Sequence, residues 1–300
     1  MNKFSHFLKA ARLRTLPLSV SGIIVASCLA EYNGYFDWQI FILAILTTLS
    51  FQVLSNFAND YGDGVKGTDN QHRIGPERAI QSGAISPAEM LEVIKVNIII
   101  CIVLAFGLIY TAFGVRYFWH LAVFFLIGLL SIYAAIKYTM GNNAYGYRGL
   151  GDLFVFIFFG LVSVIGCYVL YSKQIDHVVF LPAITLGLLS TAVLNLNNMR
   201  DIKSDKISKK NTLVVKLGSK RAKYYHYVLV VSAMILAFFF GLLYYTSSLN
   251  LIFFIVFIPL FLHLRRVSKA EDPSTLDPEL KTMALSTFVL AVLLGIGHLL

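Results

Sequence analysis

Polar residues are concentrated between Ser55 and Gly83, directly after an apolar run that ends near Leu54. In this segment Asn56, Asp60 and Asp63 stand at i, i+4 and i+7, a spacing that places three side chains on one face of a helix. We therefore expect their oxygens to converge. Carboxylates near the C-terminal end of a helix repel each other and the negative end of the helix dipole, so a bound divalent cation would stabilise them.

A second acidic pattern follows a later apolar run and consists of Asn197, Asp201 and Asp205. Their spacing of i, i+4 and i+8 predicts one stripe of a helix. The two patterns lie four predicted membrane spans apart, in the same orientation and at the same depth. This predicts two four-helix repeats in parallel topology, with a site where they meet. The alternative is that both clusters are solvated helix ends, which their repetition makes the weaker interpretation.

Two opposed pairs of carboxylates are typical of a magnesium site, because Mg²⁺ prefers oxygen ligands and is often held by one or two carboxylates together with substrate phosphates. The predicted metal ligands and catalytic residues are Asp60, Asp63, Asp201 and Asp205. Nearby cations can bind the remaining phosphate oxygens; they are Lys66, Arg73, Arg78, Arg200, Lys209 and Lys210.

An apolar, aromatic-rich cavity below such a site can hold an isoprenoid tail, and the chain contains 24 Phe and 16 Tyr. Aromatic ring faces can stabilise an allylic cation. The pattern therefore predicts ionisation of a prenyl diphosphate, followed by attack of an electron-rich acceptor. We expect the Asp-bearing loops near 60–92 and 198–225 to cap this active site.

The elements that must position these residues are membrane helices. The 300-residue chain is 57% hydrophobic and only 14% charged, which is too apolar for a soluble domain of this length. Nine stretches approach the roughly 20 residues that a transmembrane helix needs; they are 16–32, 38–58, 93–113, 117–136, 152–171, 178–196, 226–246, 249–264 and 283–300. The predicted fold is an all-α integral membrane protein with a single domain over 1–300. Nine transmembrane helices form two four-helix pseudo-repeats around a central cavity, and the ninth is an addition.

The net charge of +9 does not indicate nucleic-acid binding, because the cations are distributed by membrane side. All of the 25 Lys and Arg residues except Arg116 and Lys173 fall on one side of the predicted spans. The positive-inside rule then places the N-terminus and the long polar loops in the cytoplasm and the C-terminus outside. We expect the lipid bilayer, and no nucleic acid, as a partner.

The cysteines and the N-terminus each allow another interpretation of the sequence. The three cysteines lie inside apolar spans without paired spacing, so neither a disulfide framework nor a cysteine metal site is indicated. The basic N-terminus and the segment Val25 to Cys28 are also similar to a lipoprotein signal. Cleavage there would leave eight helices and remove the basic segment around Arg12 and Arg14.

A third polar stretch, from Lys137 to Asp152, contains Tyr138, Tyr145 and Tyr147 among four glycines. Tyrosine is common at membrane interfaces, so each residue could simply be an interfacial anchor. Their concentration at the predicted mouth of the cavity suggests that they, with Asp152, position the acceptor.

Four segments together resemble the UbiA superfamily of intramembrane aromatic prenyltransferases. They are Arg12-Leu13-Arg14-Thr15-Leu16-Pro17, Asn59 to Gly67 with Arg73-Ile74-Gly75-Pro76, Tyr145 to Asp152, and Asn197 through Asp205 to Leu213. The family has nine helices and two Asp-rich motifs of the forms NDxxDxxxD and DxxxD. The resemblance assigns Asn56 and the four aspartates to binding of Mg²⁺ and diphosphate, and suggests diphosphate contacts for Lys66, Arg73, Arg78 and Lys210.

One departure from the broad family pattern is Gly67, which stands where the third Asp of the first motif is expected. The branch that uses 1,4-dihydroxy-2-naphthoate shares this glycine, so the chain most resembles that branch. A second departure is Ala144, at a position where a proline is expected. The resemblance implies transfer of a polyprenyl group to dihydroxynaphthoate with loss of CO2 and diphosphate, giving demethylmenaquinone, in a bacterial inner membrane.

Three rival functions stay open at this stage. The acceptor could be another aromatic compound, such as 4-hydroxybenzoate or an oxidised naphthoquinone. A cation-coupled transporter could use paired aspartates at a repeat interface, although its carboxylates would more naturally lie near the middle of the membrane. A structural scaffold would need neither acidic cluster.

Overall fold

The computed structural model describes residues 3–69 and 74–300, which are helical or irregular without any strand. This part of the chain contains nine helices long and apolar enough to cross a membrane, as predicted. In chain order they are α1 (Lys3–Tyr32), α2 (Trp38–Val65), α3 (Pro87–Phe113), α4 (Phe118–Lys137), α5 (Gly151–Ser172), α6 (His177–Arg200), α7 (Ser219–Leu243), α8 (Ser248–Lys269) and α9 (Pro273–Leu299).

Several helices begin in polar sequence, before their apolar runs. A capping box begins α3: the Glu89 amide donates to Ser86 Oγ at 3.3 Å, and the Ser86 amide donates to Glu89 Oε2 at 3.0 Å. Helix α9 begins at Pro273 and α7 at Ser219, earlier than their apolar runs at 283 and 226. Helical caps and charged first turns extend these helices beyond the part that hydropathy detects.

Helix α1 is broken just before its apolar part. A short helix, Lys3–Ala10, ends before Arg12, whose φ of 51° turns the chain, and a 3-10 turn, Leu13–Thr15, leads into the apolar portion. The short helix packs on α2 through Phe7 and Phe57, whose ring centroids lie 6.4 Å apart. The break places Arg12 and Arg14 along the wall of the central cavity.

The helices surround one large cavity of about 1300 Å³, lined by residues of α1 to α6 and of α9. One buried apolar cluster contains residues of α1, α2, α3 and α5 to α9, and a smaller one joins the N-terminal helix to α2, α3 and α4. Close approach of α5 to α6 depends on Gly160, since a Cβ there would lie 2.6 Å from the Ala183 carbonyl oxygen. The predicted central cavity is thus present in the structure.

The predicted helical stripe from Asn197 to Asp205 is wrong in one respect. Helix α6 ends at Arg200, Asp201 leaves the helical conformation, and a separate short helix, Ile202–Ile207, carries Asp205. Asp201 and Asp205 therefore lie on two elements. Helices α2 and α6 still end at the same side of the bundle, as the predicted parallel repeat requires, because Lys210 just beyond α6 contacts Asp63 of α2.

Candidate active site

Asp63 is the point where the three predicted polar segments meet. It lies in the last turn of α2 and is 7% exposed. Its Oδ1 accepts a hydrogen bond from Tyr147 Oη at 2.7 Å, and its Oδ2 accepts one from Lys210 Nζ at 3.0 Å. Close approach of α2 here depends on Gly62, where a Cβ would lie 2.6 Å from Thr139 Oγ1.

Tyr147 belongs to the charged part of the site. Its single proton goes to Asp63, so Thr68 Oγ1, 2.5 Å away, is the donor to Tyr147 Oη. Its ring lies under two ammonium groups, with Lys66 Nζ 4.1 Å and Lys210 Nζ 5.2 Å from the centroid. Burial, followed by the charge of Asp63, raises the pKa of the Tyr147 phenol, which therefore stays a donor.

Lys210 links the two acidic segments. Burial alone would lower its pKa, but the carboxylates of Asp63 and then Asp205 more than offset this and raise the pKa of Lys210, so it is a cation. Asp205 is 4% exposed, and burial together with the charges of Asp201 and Asp63 raises its pKa to about 7, against the opposing effect of Lys210. The ammonium is thus paired with Asp63 of the first acidic cluster and opposes the rise in the pKa of Asp205 in the second.

Asp201 is paired with the neighbouring Arg200. Arg200 Nε donates to Asp201 Oδ1 at 2.8 Å and Arg200 Nη2 donates to Oδ2 at 2.7 Å, a bidentate pair. The same guanidinium donates to Asn197 Oδ1 at 3.0 Å and to Asp277 Oδ1 at 2.6 Å. Arg200, predicted to contact diphosphate, lines the cavity but is already engaged by two carboxylates.

Asn56, Asp60 and Asp63, which the sequence predicts to converge, each contact different partners in the structure. Asp60 accepts from the amides of Ala79 and Ile80 at 3.3 and 3.4 Å, and thereby holds the end of the loop that follows α2. Asn56 donates to the Ala11 carbonyl at 2.8 Å and so holds the N-terminal segment instead. Each side chain of the stripe therefore has its own donor or acceptor.

The carboxylates fit a divalent cation in chemistry, although they are not gathered around one point. Within residues 3–69 and 74–300, no group of three or more His, Cys, Asp or Glu side chains lies close enough to hold a metal ion. Lys210 nevertheless brings the two segments together, since its Nζ pairs with Asp63 Oδ2 at 3.0 Å and its amide donates to the Asp205 carbonyl oxygen at 2.8 Å. The carboxylates of the two segments are the hard oxygen donors that Mg²⁺ prefers.

Lys66, Arg73 and Arg78 were also predicted to bind phosphate, and the structure describes two of them. Lys66 Nζ donates to the Thr139 carbonyl at 2.6 Å, and burial lowers the pKa of Lys66. Arg78 lines the cavity and lies 3.7 Å from Asp69 Oδ2. Arg73 lies outside the described residues.

Tyr138 and Tyr145 line the cavity just beyond the charged residues. Tyr145 Oη donates to the Ala134 carbonyl at 2.9 Å, and its ring stacks on Phe154 with centroids 4.1 Å apart. The Tyr138 ring meets the Tyr145 ring edge-on at 5.3 Å. These two tyrosines, unlike Tyr147, thus form an aromatic wall between the charged end and the apolar depth of the cavity.

Sequence reasoning missed Thr68, Thr139 and Asp277. Thr68 donates to Tyr147, and Thr139 Oγ1 donates to the Ala58 carbonyl at 2.8 Å, which fixes the turn after α4 against α2. Their positions within the polar segments were the available signal. Asp277 gave no such signal, because an acidic residue at the start of a helix is usually a favourable first-turn charge.

The cavity runs from the charged end to the opposite end of the bundle. Asp63, Arg78 and Lys210 line one end, and His120 and Lys173 line the other. Between them the lining is mainly apolar and includes Phe51, Phe124, Phe158, Phe159, Leu161, Ile165, Val169 and Leu170. Its volume of about 1300 Å³ accommodates a long hydrocarbon chain together with a polar head at the charged end.

Comparison with known proteins agrees with this architecture. The chain is 39% identical to the 1,4-dihydroxy-2-naphthoate octaprenyltransferase of Escherichia coli (strain K12), over 99% of this chain and 96% of that protein. It is 40% identical to the protein of the same name from Haemophilus influenzae, with the same coverage. A UbiA homolog from Archaeoglobus fulgidus, solved bound to GPP and Mg²⁺, shares the fold with a TM-score of 0.71 at 14% identity, over 98% of this chain and 99% of that one. The model of the UbiA prenyltransferase family matches residues 19–296, and the chain belongs to this family.

Proposed function

We propose that this protein transfers a polyprenyl group from polyprenyl diphosphate to 1,4-dihydroxy-2-naphthoate. The bond between the prenyl C1 and the diphosphate oxygen breaks, and C1 forms a bond to a carbon of the naphthoate ring. CO2 and diphosphate leave, giving demethylmenaquinol, which becomes demethylmenaquinone on oxidation. The observation that carries the proposal is the joining of both acidic segments by Lys210 at the head of a long apolar cavity.

The charged end is suited to the diphosphate. Asp63, Asp201 and Asp205, with Asp60 behind them, would hold Mg²⁺, which when bound neutralises charge that develops on the leaving diphosphate. Lys210 and Arg78 line the cavity and Lys66 lies beside Tyr147, so these three cations would contribute positive charge near a bound diphosphate. The apolar length of the cavity would hold the prenyl tail.

The aromatic wall is suited to the acceptor and the allylic carbon. Tyr138, Tyr145 and Phe154 lie between the charged end and the tail region, where the prenyl C1 would sit. Ring faces stabilise a developing carbocation and stack on a naphthoate ring. Burial raises the pKa of Tyr138 and Tyr145, which keeps both phenols protonated and uncharged.

The position of the carboxylates favours an enzyme over a cation-coupled transporter. Asp63 lies in the last turn of α2 and Asp201 directly after α6, at the ends of the helices and not midway along them. We place this charged end at the cytoplasmic face of a bacterial plasma membrane, with the N-terminus inside and the C-terminus outside, from the distribution of Lys and Arg.

The direct test incubates the purified chain in detergent with dihydroxynaphthoate, octaprenyl diphosphate and Mg²⁺, and measures the prenylated naphthalenediol by mass spectrometry. Asp63→Asn weakens the charged contacts with Lys210 and Tyr147 and is expected to lower the rate at least about 100-fold, since one such contact is typically worth roughly 1.5 to 3 kcal/mol. Asp37→Asn is the matched control, because Asp37 caps the opposite end of the same helix.

Three results separate the alternatives. Product from 4-hydroxybenzoate but not from dihydroxynaphthoate would reassign the acceptor. If the folded protein consumes no prenyl diphosphate when Mg²⁺ is supplied, the proposed transferase activity is contradicted. Equal rates for Asp63→Asn and Asp37→Asn would remove Asp63 from the site.

A further inference from the structure

Arg200 connects the second acidic segment to the last helix of the bundle. The guanidinium is 1% exposed, and it donates to carboxylates on two different elements. Nε and Nη2 hold both oxygens of Asp201, and Nη1 donates to Asp277 Oδ1 at 2.6 Å. Asp277 begins the α-helical part of α9, far from either acidic motif in sequence.

Metal coordination by Asp201 competes with its pairing to Arg200. Both Asp201 oxygens accept from the guanidinium, which occupies about two of their roughly four lone-pair sites, so a positive metal ion bound to Asp201 weakens or displaces this pair. Arg200 is buried, and a buried charge left without a partner is strongly destabilising. The cost of moving Asp201 toward a metal therefore depends on what else holds Arg200.

Asp277 is the charged partner that remains. It contacts a different nitrogen of Arg200 from the two that hold Asp201, so its hydrogen bond does not depend on the Asp201 pair. Its position is fixed by Leu276, which is 3% exposed, and by the 3-10 turn Pro273–Leu276. Its negative charge is also favourable at a helix N-terminus.

We propose that Asp277 is a positioning residue for the metal site: it retains Arg200 when Asp201 turns to the metal, and so strengthens metal binding without touching the ion. This role rests on the proposed function, because it requires Asp201 to be a metal ligand. It also gives α9, which the sequence suggested was only an addition to two repeats, a part in the active site.

One competing explanation is that Asp277 binds the metal itself, since it lines the cavity and its side chain is 41% exposed. The two explanations differ in their dependence on Arg200. If Asp277 acts through Arg200, its substitution has no effect on metal binding once the guanidinium is gone. If Asp277 is a ligand, its substitution weakens metal binding in either background.

The experiment measures Mn²⁺ binding to the detergent-purified full chain by electron paramagnetic resonance of free Mn²⁺, with geranyl thiolodiphosphate present as an unreactive diphosphate. Asp277→Asn is expected to weaken Mn²⁺ binding about tenfold, the equivalent of roughly 1.4 kcal/mol. Asp277→Glu, which keeps the charge, is expected to stay within about threefold of the unmodified chain. Asp272→Asn is the matched control, because it removes a carboxylate just before α9 that bonds Ser274.

A double-mutant cycle completes the test. In an Arg200→Gln background, Asp277→Asn is expected to change Mn²⁺ binding less than about twofold. If Arg200→Gln does not fold, Arg200→Lys replaces it, because an ammonium lacks the fork that holds both carboxylates.

The outcomes are distinct. The proposal is overturned if Asp277→Asn binds Mn²⁺ as tightly as the unmodified chain, or if the control Asp272→Asn weakens Mn²⁺ binding as much as Asp277→Asn does. It is also overturned if Asp277→Glu weakens binding as much as Asp277→Asn, or if Asp277→Asn still causes a tenfold loss in the Arg200→Gln background. If the unmodified chain does not bind Mn²⁺, the proposed metal site is overturned as well. If the unmodified chain and Asp277→Asn both bind Mn²⁺ equally tightly, only the role of Asp277 is overturned.

Discussion

Replacing Tyr147 with Phe removes one hydroxyl group and keeps the ring. That hydroxyl donates to Asp63 Oδ1 at 2.7 Å and accepts from Thr68. The ring, which lies 4.1 Å from Lys66 Nζ, is retained. The substitution therefore tests whether Tyr147 serves the charged end of the cavity or, as the sequence suggested, the acceptor.

The expected loss follows from the bond that disappears. A hydrogen bond to a charged, buried group contributes roughly 1.5 to 3 kcal/mol, and Asp63 keeps its other contact with Lys210. If the full amount acts on the bound diphosphate, kcat/KM for prenyl diphosphate falls about 10- to 100-fold. We expect the KM for the aromatic acceptor to change less than twofold, because the Asp63 contact lies on the diphosphate side.

The assay varies each substrate separately at saturating Mg²⁺ and a fixed excess of the other. Tyr145→Phe is the matched control: its hydroxyl donates to the Ala134 carbonyl and touches no carboxylate, so kcat/KM for prenyl diphosphate should stay within about threefold of the unmodified value. A Tyr147→Phe variant that raises the acceptor KM and leaves kcat/KM for prenyl diphosphate unchanged would refute this assignment.

Two further predictions concern the packing and the charge of the same site. Gly62→Ala places a methyl group against Thr139 and should lower the free energy of unfolding by about 1 to 3 kcal/mol, which is measured as a lower Tm. Gly107→Ala is the control and should not lower the Tm, because nothing lies within 4 Å of a Cβ at that position. Equal Tm values for the two variants would contradict the close packing of Gly62 on Thr139. Lys210→Gln leaves the Asp63 carboxylate without its paired cation, so added Mg²⁺ should raise the Tm of this variant by roughly 5 °C more than that of the unmodified chain. An equal rise would show that Lys210 does not neutralise Asp63.

The membrane architecture was predictable because its signals are local. A run of about 20 apolar residues has few alternatives to a membrane helix, and the capping box at Ser86 and Glu89 marks the start of α3. Hydropathy did not reveal that α7 and α9 begin in polar sequence, since a charged first turn contributes nothing to an apolar run. The break at Arg12 depends on a left-handed residue that is not glycine, for which the sequence has no signal.

The residues of the site were easier to predict than their contacts. The spacing of Asp60 and Asp63 correctly puts both in the last turns of α2. It does not reveal that one carboxylate reaches backbone amides and the other a lysine from beyond α6, because those partners come from loops whose paths are set by tertiary packing. Tyr147 was grouped with Tyr138 and Tyr145 by sequence, but it lies in the 3-10 turn Tyr145–Arg148 with its hydroxyl on Asp63, whereas Tyr138 and Tyr145 line the cavity.

These partners also rank the carboxylates by how readily each can turn to a metal. Asp60 is held by two neutral amides at 3.3 and 3.4 Å, which are long hydrogen bonds. Asp63 is held by one ammonium and one phenol, and Asp201 by a bidentate guanidinium. Charge-assisted bonds are roughly twice as strong as neutral ones, so Asp60 is the least constrained and Asp201 the most. If Asp201 is a metal ligand, as the proposed function requires, we expect the second acidic segment, which depends on Arg200 and Asp277, to be the part whose rearrangement limits how tightly the metal binds.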